Sequence, residues 1–194
     1  MTLRHEYRYL AYGSNLVPHG LARYVGAVAD DAVGAHVEVP GWHLRFQGHS
    51  TRWDGSPATI SPDPSAVLIG RAWTLDRASL VGVVAGEAGT TKARATTAVD
   101  AVSDEVKTDA QASHWASPVT RPVSQYDTVV AIDHPDGALW AVTSSTPDVL
   151  RRRCEPYLAQ VHLGLTQLVG NDRATAEVEA ALARSAQPPP DPAG

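Results

Sequence analysis

The residues best placed for chemistry stand where the first apolar run ends, at Tyr12-Gly13-Ser14-Asn15. A strand that breaks into a Gly-Ser-Asn turn turns successive backbone N–H groups to one side, and such a concavity holds a carboxylate or stabilises a developing oxyanion. The same residues are ordinary turn formers, so alone they read as a turn before they read as a site. Spacing sets aside the other reactive side chains. The eight histidines show no HxH, HExxH or His/Cys spacing, which predicts no metal. Ser14 lacks the GxSxG elbow that exposes a nucleophilic serine. Cys154, after Arg151, Arg152 and Arg153, stands at a predicted helix start and reads as a structural thiol. Glu87, taken by itself, is a solvated carboxylate at the end of a short predicted helix.

The elements that must position these residues follow from local pattern. Residues 7–12 are aromatic and apolar enough for a buried strand, with the turn directly after. Leu16, His19, Leu21 and Tyr24 are spaced for a short helix over 15–24, although Pro18 and Gly20 weaken the pattern. Four strand-like stretches come next: AHVEVP, WHLRFQ, ATIS and VLIGRAWTL, separated by Pro, Gly, Asp and Ser. Asp76 is a helix-start signal for a stripe of Ala78, Leu80, Val81, Val84 and Ala85 that Gly86 and Gly89 end near Glu87. Residues 90–121, rich in Ala, Thr, Ser and acids, carry no strong core signal and read as an insertion. Two β-rich runs flank Asp133-His134-Pro135-Asp136-Gly137, which predicts a hairpin. A helix then starts near Pro147 or Pro156, with Tyr157, Val161, Leu165 and Leu168 on its apolar face. A second helical patch precedes the proline-rich end, which is expected to be disordered.

The bulk composition narrows the function. A chain of 194 residues matches one domain, expected to span 1–170 with the insertion at 90–121 and an appended 171–194 segment. The net charge of −5 and the scatter of basic residues leave no stripe that tracks a phosphate backbone, so nucleic acid is not an expected partner. One cysteine fits a reducing compartment. No apolar run is long enough for a membrane span or signal peptide, and the expected location is the cytoplasm. The oligomeric state is left open.

With these residues in view, the string Tyr12-Gly13-Ser14-Asn15-Leu16 after an apolar strand resembles the N-terminal motif of the γ-glutamylcyclotransferase superfamily. The resemblance continues through Gly41-Trp42-His43-Leu44-Arg45-Phe46, Trp53-Asp54-Gly55, Ala58-Thr59-Ile60 and Gly70-Arg71-Ala72-Trp73-Thr74-Leu75. Counting on from Gly70 with the family's spacing reaches Glu87, where the family carries its acid/base. The hairpin starting at Tyr126 and the helix starting Pro156-Tyr157-Leu158 resemble its closing elements, so the matches cover 7–89 and 124–168. There are departures: Val84-Ala85-Gly86 precedes Glu87 where the family has Leu-Asp shortly before it, Ala88 follows where it has Gly, and the stretch after Thr90 is longer than usual.

The resemblance implies an α+β fold, a mixed β-barrel or sheet with a few flanking helices. It also implies a cyclisation in which the α-amine of a γ-glutamyl group attacks its own γ-carbonyl and expels an amine, without metal or cofactor. Glu87 would carry the protons, the Tyr12, Gly13, Ser14, Asn15 and Leu16 segment would meet the small-molecule substrate, and Tyr126 and Tyr157 would wall its pocket. Two other readings stand beside it: a non-catalytic binder of a small carboxylate on the same fold, and an interaction module that docks through 90–121.

Overall fold

The computed structural model describes residues 6–26, 34–108, 113–119, 126–146 and 148–187. Its centre is a six-stranded mixed sheet in the order β2-β3-β1-β6-β5-β4, curled into a half-barrel. The strands are β1 (Glu6–Ala11), β2 (Ala35–Phe46), β3 (Ala58–Asp76), β4 (His114–Pro118), β5 (Thr128–Ile132) and β6 (Leu139–Thr143). Among these six strands the central β1–β6 pairing is parallel and the others are antiparallel. Five α-helices flank the sheet among the described residues: α1 (Pro18–Val25), α2 (Arg77–Glu87), α3 (Lys92–Thr108), α4 (Glu155–Val169) and α5 (Asn171–Ser185). None is long and apolar enough to cross a membrane.

Because side chains alternate across a strand, each strand feeds two cores. Leu10 and Tyr12 point into one, with Phe46, Ile60, α4 and α5; Tyr9 and Ala11 point into the other, with Trp73, α2 and α3. The chemistry-bearing turn leaves the end of β1 and therefore lies where both cores meet.

The structure corrects several sequence expectations. AHVEVP and WHLRFQ are one strand, β2, bent at a bulge where Gly41 takes a φ of +81°. ATIS and VLIGRAWTL are likewise one strand, β3. Pairing jumps from Pro40↔Val67 to Trp42↔Pro62, so Gly41 alone opposes residues 63–66 and Pro64 is spared a ladder bond that it cannot make. Pro18 does not interrupt a helix over 15–24 but starts one: a 3-10 turn, Ser14–Leu16, precedes α1 with Pro18 in its first turn, where a missing N–H costs nothing.

Part of the 90–121 segment packs into the second core. Within it, α3 buries Ala95, Ala98, Val99 and Val102 completely, and β4 forms the sheet edge with Trp115 buried. These two elements are structural parts of the second core. The α3 stripe has helical spacing but small side chains, which is why composition hid it. Similarly, α5 buries Ala174, Val178, Ala181 and Leu182 in the first core, so a boundary at 170 does not separate it from the fold. Other elements match expectation: Asp76 caps α2 by accepting from Ser79 N at 2.8 Å, and Gly137, at a φ of +100°, turns the β5–β6 hairpin. The last long helix begins at Glu155 with Pro156 in its first turn; Pro147 and the proline-rich end at 188–194 lie outside the described residues.

Candidate active site

The Gly13-Ser14-Asn15 turn is held on all its carbonyls. Gly13 O accepts from Leu16 N at 3.0 Å, Ser14 O from Gln160 Nε2 of α4 at 2.8 Å, and Asn15 O from Trp73 Nε1 of β3 at 2.9 Å. Helix α1 packs so closely that a Cβ on Gly20 would fall 1.9 Å from Ser14 O. The turn is thus a fixed object, positioned by α1, β3 and α4 together.

Seventy-two residues along the chain, the end of α2 brings Glu87 to this turn: Asn15 Nδ2 donates to Glu87 Oε1 at 2.7 Å and to the Tyr9 hydroxyl at 2.9 Å. The Tyr24 hydroxyl of α1 also hydrogen-bonds the carboxylate. Glu87 keeps some exposed surface, yet it lies deep in the molecule, and desolvation holds its carboxyl above the usual range against the opposing pull of Asn15, Tyr24 and the Arg23 charge. Burial and the nearby Glu87 charge hold the Tyr9 and Tyr24 hydroxyls upward, so both are neutral donors at physiological pH.

Glu87 sits between two spaces. A cleft of about 250 Å³ opens outward past Tyr24, Trp53, Tyr126 and Tyr157. An inner compartment of about 20 Å³, room for roughly one water, lies behind it among Tyr9, Tyr12, Gly13, Asn15 and the shared Glu87, Tyr126 and Tyr157. Tyr126 donates to Ala58 O at 2.6 Å, and Tyr12 donates to Val142 O. The phenolic oxygen of Tyr157 accepts from Ala58 N at 2.9 Å and is met by the Ser14 N–H as well. The turn's donors are therefore not simply open to the cleft, because Tyr157 covers one of them. Two backbone N–H groups on its oxygen polarise the Tyr157 O–H as a donor in turn.

Of the residues singled out from sequence, Tyr12, Gly13, Ser14, Asn15, Glu87, Tyr126 and Tyr157 all line one or other of these spaces. Leu16 does not. It is fully buried, and a Cβ on Gly164 of α4 would lie 2.3 Å from its Cβ, so it seats the turn on α4 and lines neither of these two spaces. Sequence reasoning missed Tyr24 and Tyr9 as site groups. A signal for Tyr24 existed in Gly82 and Gly86, one helical turn apart: a Cβ there would meet Tyr24 O at 2.9 Å and its ring at 2.2 Å, so these glycines mark where α1 closes on α2. Among the described residues no His, Cys, Asp and Glu side chains gather as a metal-binding group.

Comparison with solved structures bears on this architecture. A γ-glutamyl cyclotransferase superposes with a TM-score of 0.55 at 14% identity, over 91% of this chain and 88% of that one. The chain has the γ-glutamylcyclotransferase-like fold. An uncharacterized protein from Homo sapiens, loc79017, is similar at a TM-score of 0.52 and 15% identity, covering 90% of this chain and 87% of that chain. YkqA from Bacillus subtilis is similar at 0.50 and 14% identity over 91% of this chain, which spans 54% of YkqA. No protein-family model and no curated protein matches the sequence. At such identities the likeness is one of fold alone.

Proposed function

We propose that the protein is a cyclotransferase that releases 5-oxoproline from a γ-glutamyl amide, with Glu87 as its acid/base and the cytoplasm as its setting. The observation that carries this reading is the desolvated Glu87 carboxyl, 2.7 Å from Asn15 in the turn and facing a cleft of substrate size. In this reaction the nucleophile is already tethered to its electrophile. The site has to hold a near-attack conformer, move two protons off the attacking nitrogen and steady one oxyanion.

Glu87 takes a proton from the α-ammonium, the freed amine nitrogen bonds to the γ-carbonyl carbon, and the carbonyl electrons move onto oxygen. As the tetrahedral centre collapses, Glu87 gives its proton to the leaving nitrogen, whose bond to carbon breaks, and takes the second proton from the ring nitrogen to leave a neutral lactam; that second proton departs with the released amine as its ammonium ion, which resets Glu87. A carboxyl raised toward neutrality by burial suits both transfers. The Tyr157 hydroxyl, polarised by the Ser14 N–H it covers, and the backbone N–H groups of Gly13 and Asn15 are the donors for the oxyanion or the substrate carboxylate. Asn15 and Tyr24 hold the Glu87 carboxylate in place.

The test is incubation with a panel of γ-glutamyl amino acids, amines and dipeptides, following 5-oxoproline by mass spectrometry with Glu87→Gln in parallel. Release that depends on Glu87 supports the reading. Silence across the panel from folded protein that still binds a panel member would favour the second reading, in which Glu87 recognises an ammonium group without turning it over.

A further inference from the structure

The outer part of the Glu87 cleft carries a charge pattern that the chemistry at its inner end does not use. Arg52 and Trp53 form part of its wall, and Trp53 is braced against Tyr157 with ring centroids 5.0 Å apart. Two guanidiniums pack on that indole, Arg52 at 5.3 Å and Arg23 of α1 at 5.8 Å from the ring centroid. Both arginines are exposed, and neither makes a hydrogen bond or a salt bridge among the described residues. Asp54, the acid next to Trp53, is engaged by Arg152, and Glu87 is the only acid among the described residues that line the cleft. A protein of net charge −5 thus sets two unneutralised cations at the entrance to its candidate active site.

The shape of the site fixes what passes them. Behind Glu87 the inner compartment of about 20 Å³ has room for about one water, so a γ-glutamyl head stops at Glu87 and the rest of the substrate runs outward. The group expelled on cyclisation therefore lies toward Trp53 and the two guanidiniums. An indole face holds a guanidinium without neutralising its charge, and the N–H groups stay available to grip a carboxylate. Fixed cations of this kind draw anions in and repel cations over about 10 Å at ~0.1 M salt. A lysine side chain or a polyamine would meet two like charges there.

We infer that the leaving amine is an acidic amino acid, whose two carboxylates are met by Arg52 and Arg23 on either side of the contact with Trp53. The inference rests on the cyclotransferase reading for the direction in which substrate lies. It makes Arg52 and Arg23 the specificity-determining residues of the cleft.

The test uses the γ-glutamyl derivatives of glutamate, glutamine, glutamine amide and lysine amide, compounds of similar size whose leaving parts carry two, one and no negative charges and one positive charge. Affinity is read by calorimetry on Glu87→Gln, and kcat/KM for 5-oxoproline release on the native protein. In ~20 mM salt each step along that series should weaken both by about threefold, the range of an exposed charge pair, and the steps should shrink in ~0.5 M salt. Arg52→Met and Arg23→Met should each compress the order, and Arg52→Glu should place the lysine amide ahead of the glutamate compound. Both side chains are exposed and unbonded, so these variants keep the fold. Equal affinities or a native preference for the lysine amide would overturn the inference. So would an Arg52→Met variant that weakens all four compounds alike, because Arg52 would then hold the α-carboxylate of the glutamyl head, and so would failure of all four to bind at ~10 mM. The two readings fail separately. The expected order of binding without any 5-oxoproline would sink the cyclotransferase and keep the charge selectivity, whereas equal release from all four would keep the cyclotransferase and sink the selectivity.

Discussion

Replacing Gly86 by alanine tests whether the α1–α2 contact serves catalysis or only packing. The new Cβ would lie 2.2 Å from Tyr24 Cδ1 and 2.4 Å from Cε1, whereas carbon atoms rest at about 3.5 Å or more, so the ring must retreat by about 1.3 Å. Tyr24 is half-buried at the cleft wall and can make that movement outward. The stability effects oppose one another. Alanine favours the helix by about 1 kcal/mol over glycine, and displacing the ring costs about 1–3 kcal/mol, which leaves a net change within about 2 kcal/mol. The Tyr24 bond to Glu87 does not survive a displacement of that size. A hydrogen bond to a charged group is worth about 1.5–3 kcal/mol, so kcat/KM should fall roughly ten- to a hundredfold. Release of 5-oxoproline and thermal unfolding are read on Gly86→Ala, on Tyr24→Phe and on the double variant. Tyr24→Phe should reproduce the catalytic loss without the steric one, and the double variant should lose no more activity than either single, because both remove one interaction. Full activity in Tyr24→Phe would refute the role given to the hydroxyl. Additive losses would show that the clash acts through something other than Tyr24.

Two further outcomes follow from burial. A buried carboxyl with a raised pKa keeps its proton where the unfolded chain has lost it, so Glu87 costs stability as pH rises from the usual carboxylate value through its folded one, and the deficit persists above. Glu87→Gln should therefore melt at a higher temperature than the native protein near about pH 7, with the gain vanishing towards about pH 4; a lower melting temperature at neutral pH would mean that the carboxyl is not desolvated. Gly164→Ala should lower the denaturant midpoint by the equivalent of about 1–3 kcal/mol, because its Cβ would lie 2.3 Å from that of the fully buried Leu16 and neither backbone can yield; unchanged stability would mean that α4 does not seat on the turn as described.

The surroundings of Glu87 are built from neutral donors. Asn15 and the neutral Tyr24 donate to Glu87 without supplying charge, so the carboxyl is held in place while its proton affinity stays high. A lysine or arginine in direct contact would have held it ionised.

Much of the fold was legible from local physics alone. An apolar run followed by Gly-Ser-Asn specifies a strand and a turn, Asp76 before an apolar stripe specifies a capped helix, and Pro135 with Gly137 specifies a hairpin, because each signal acts within a few residues. Where the local signal misled, a distant partner outweighed it. Pro62 and Pro64 read as breaks until β2 supplied a bulge opposite them, and the small residues of α3 read as an insertion until α2 and the sheet closed over them. Leu16 belonged to the motif string but not to the cleft, since only the arrival of α4 decides which way that turn presents its side chains. The meeting of Asn15 with Glu87, the closure of Tyr24 on Gly86 and the desolvation that lifts the Glu87 carboxyl are properties of neighbours far apart in the chain. Resemblance to a family pointed to Glu87 as a position; its environment, and so its chemistry, was set only when the tertiary structure took water away from it.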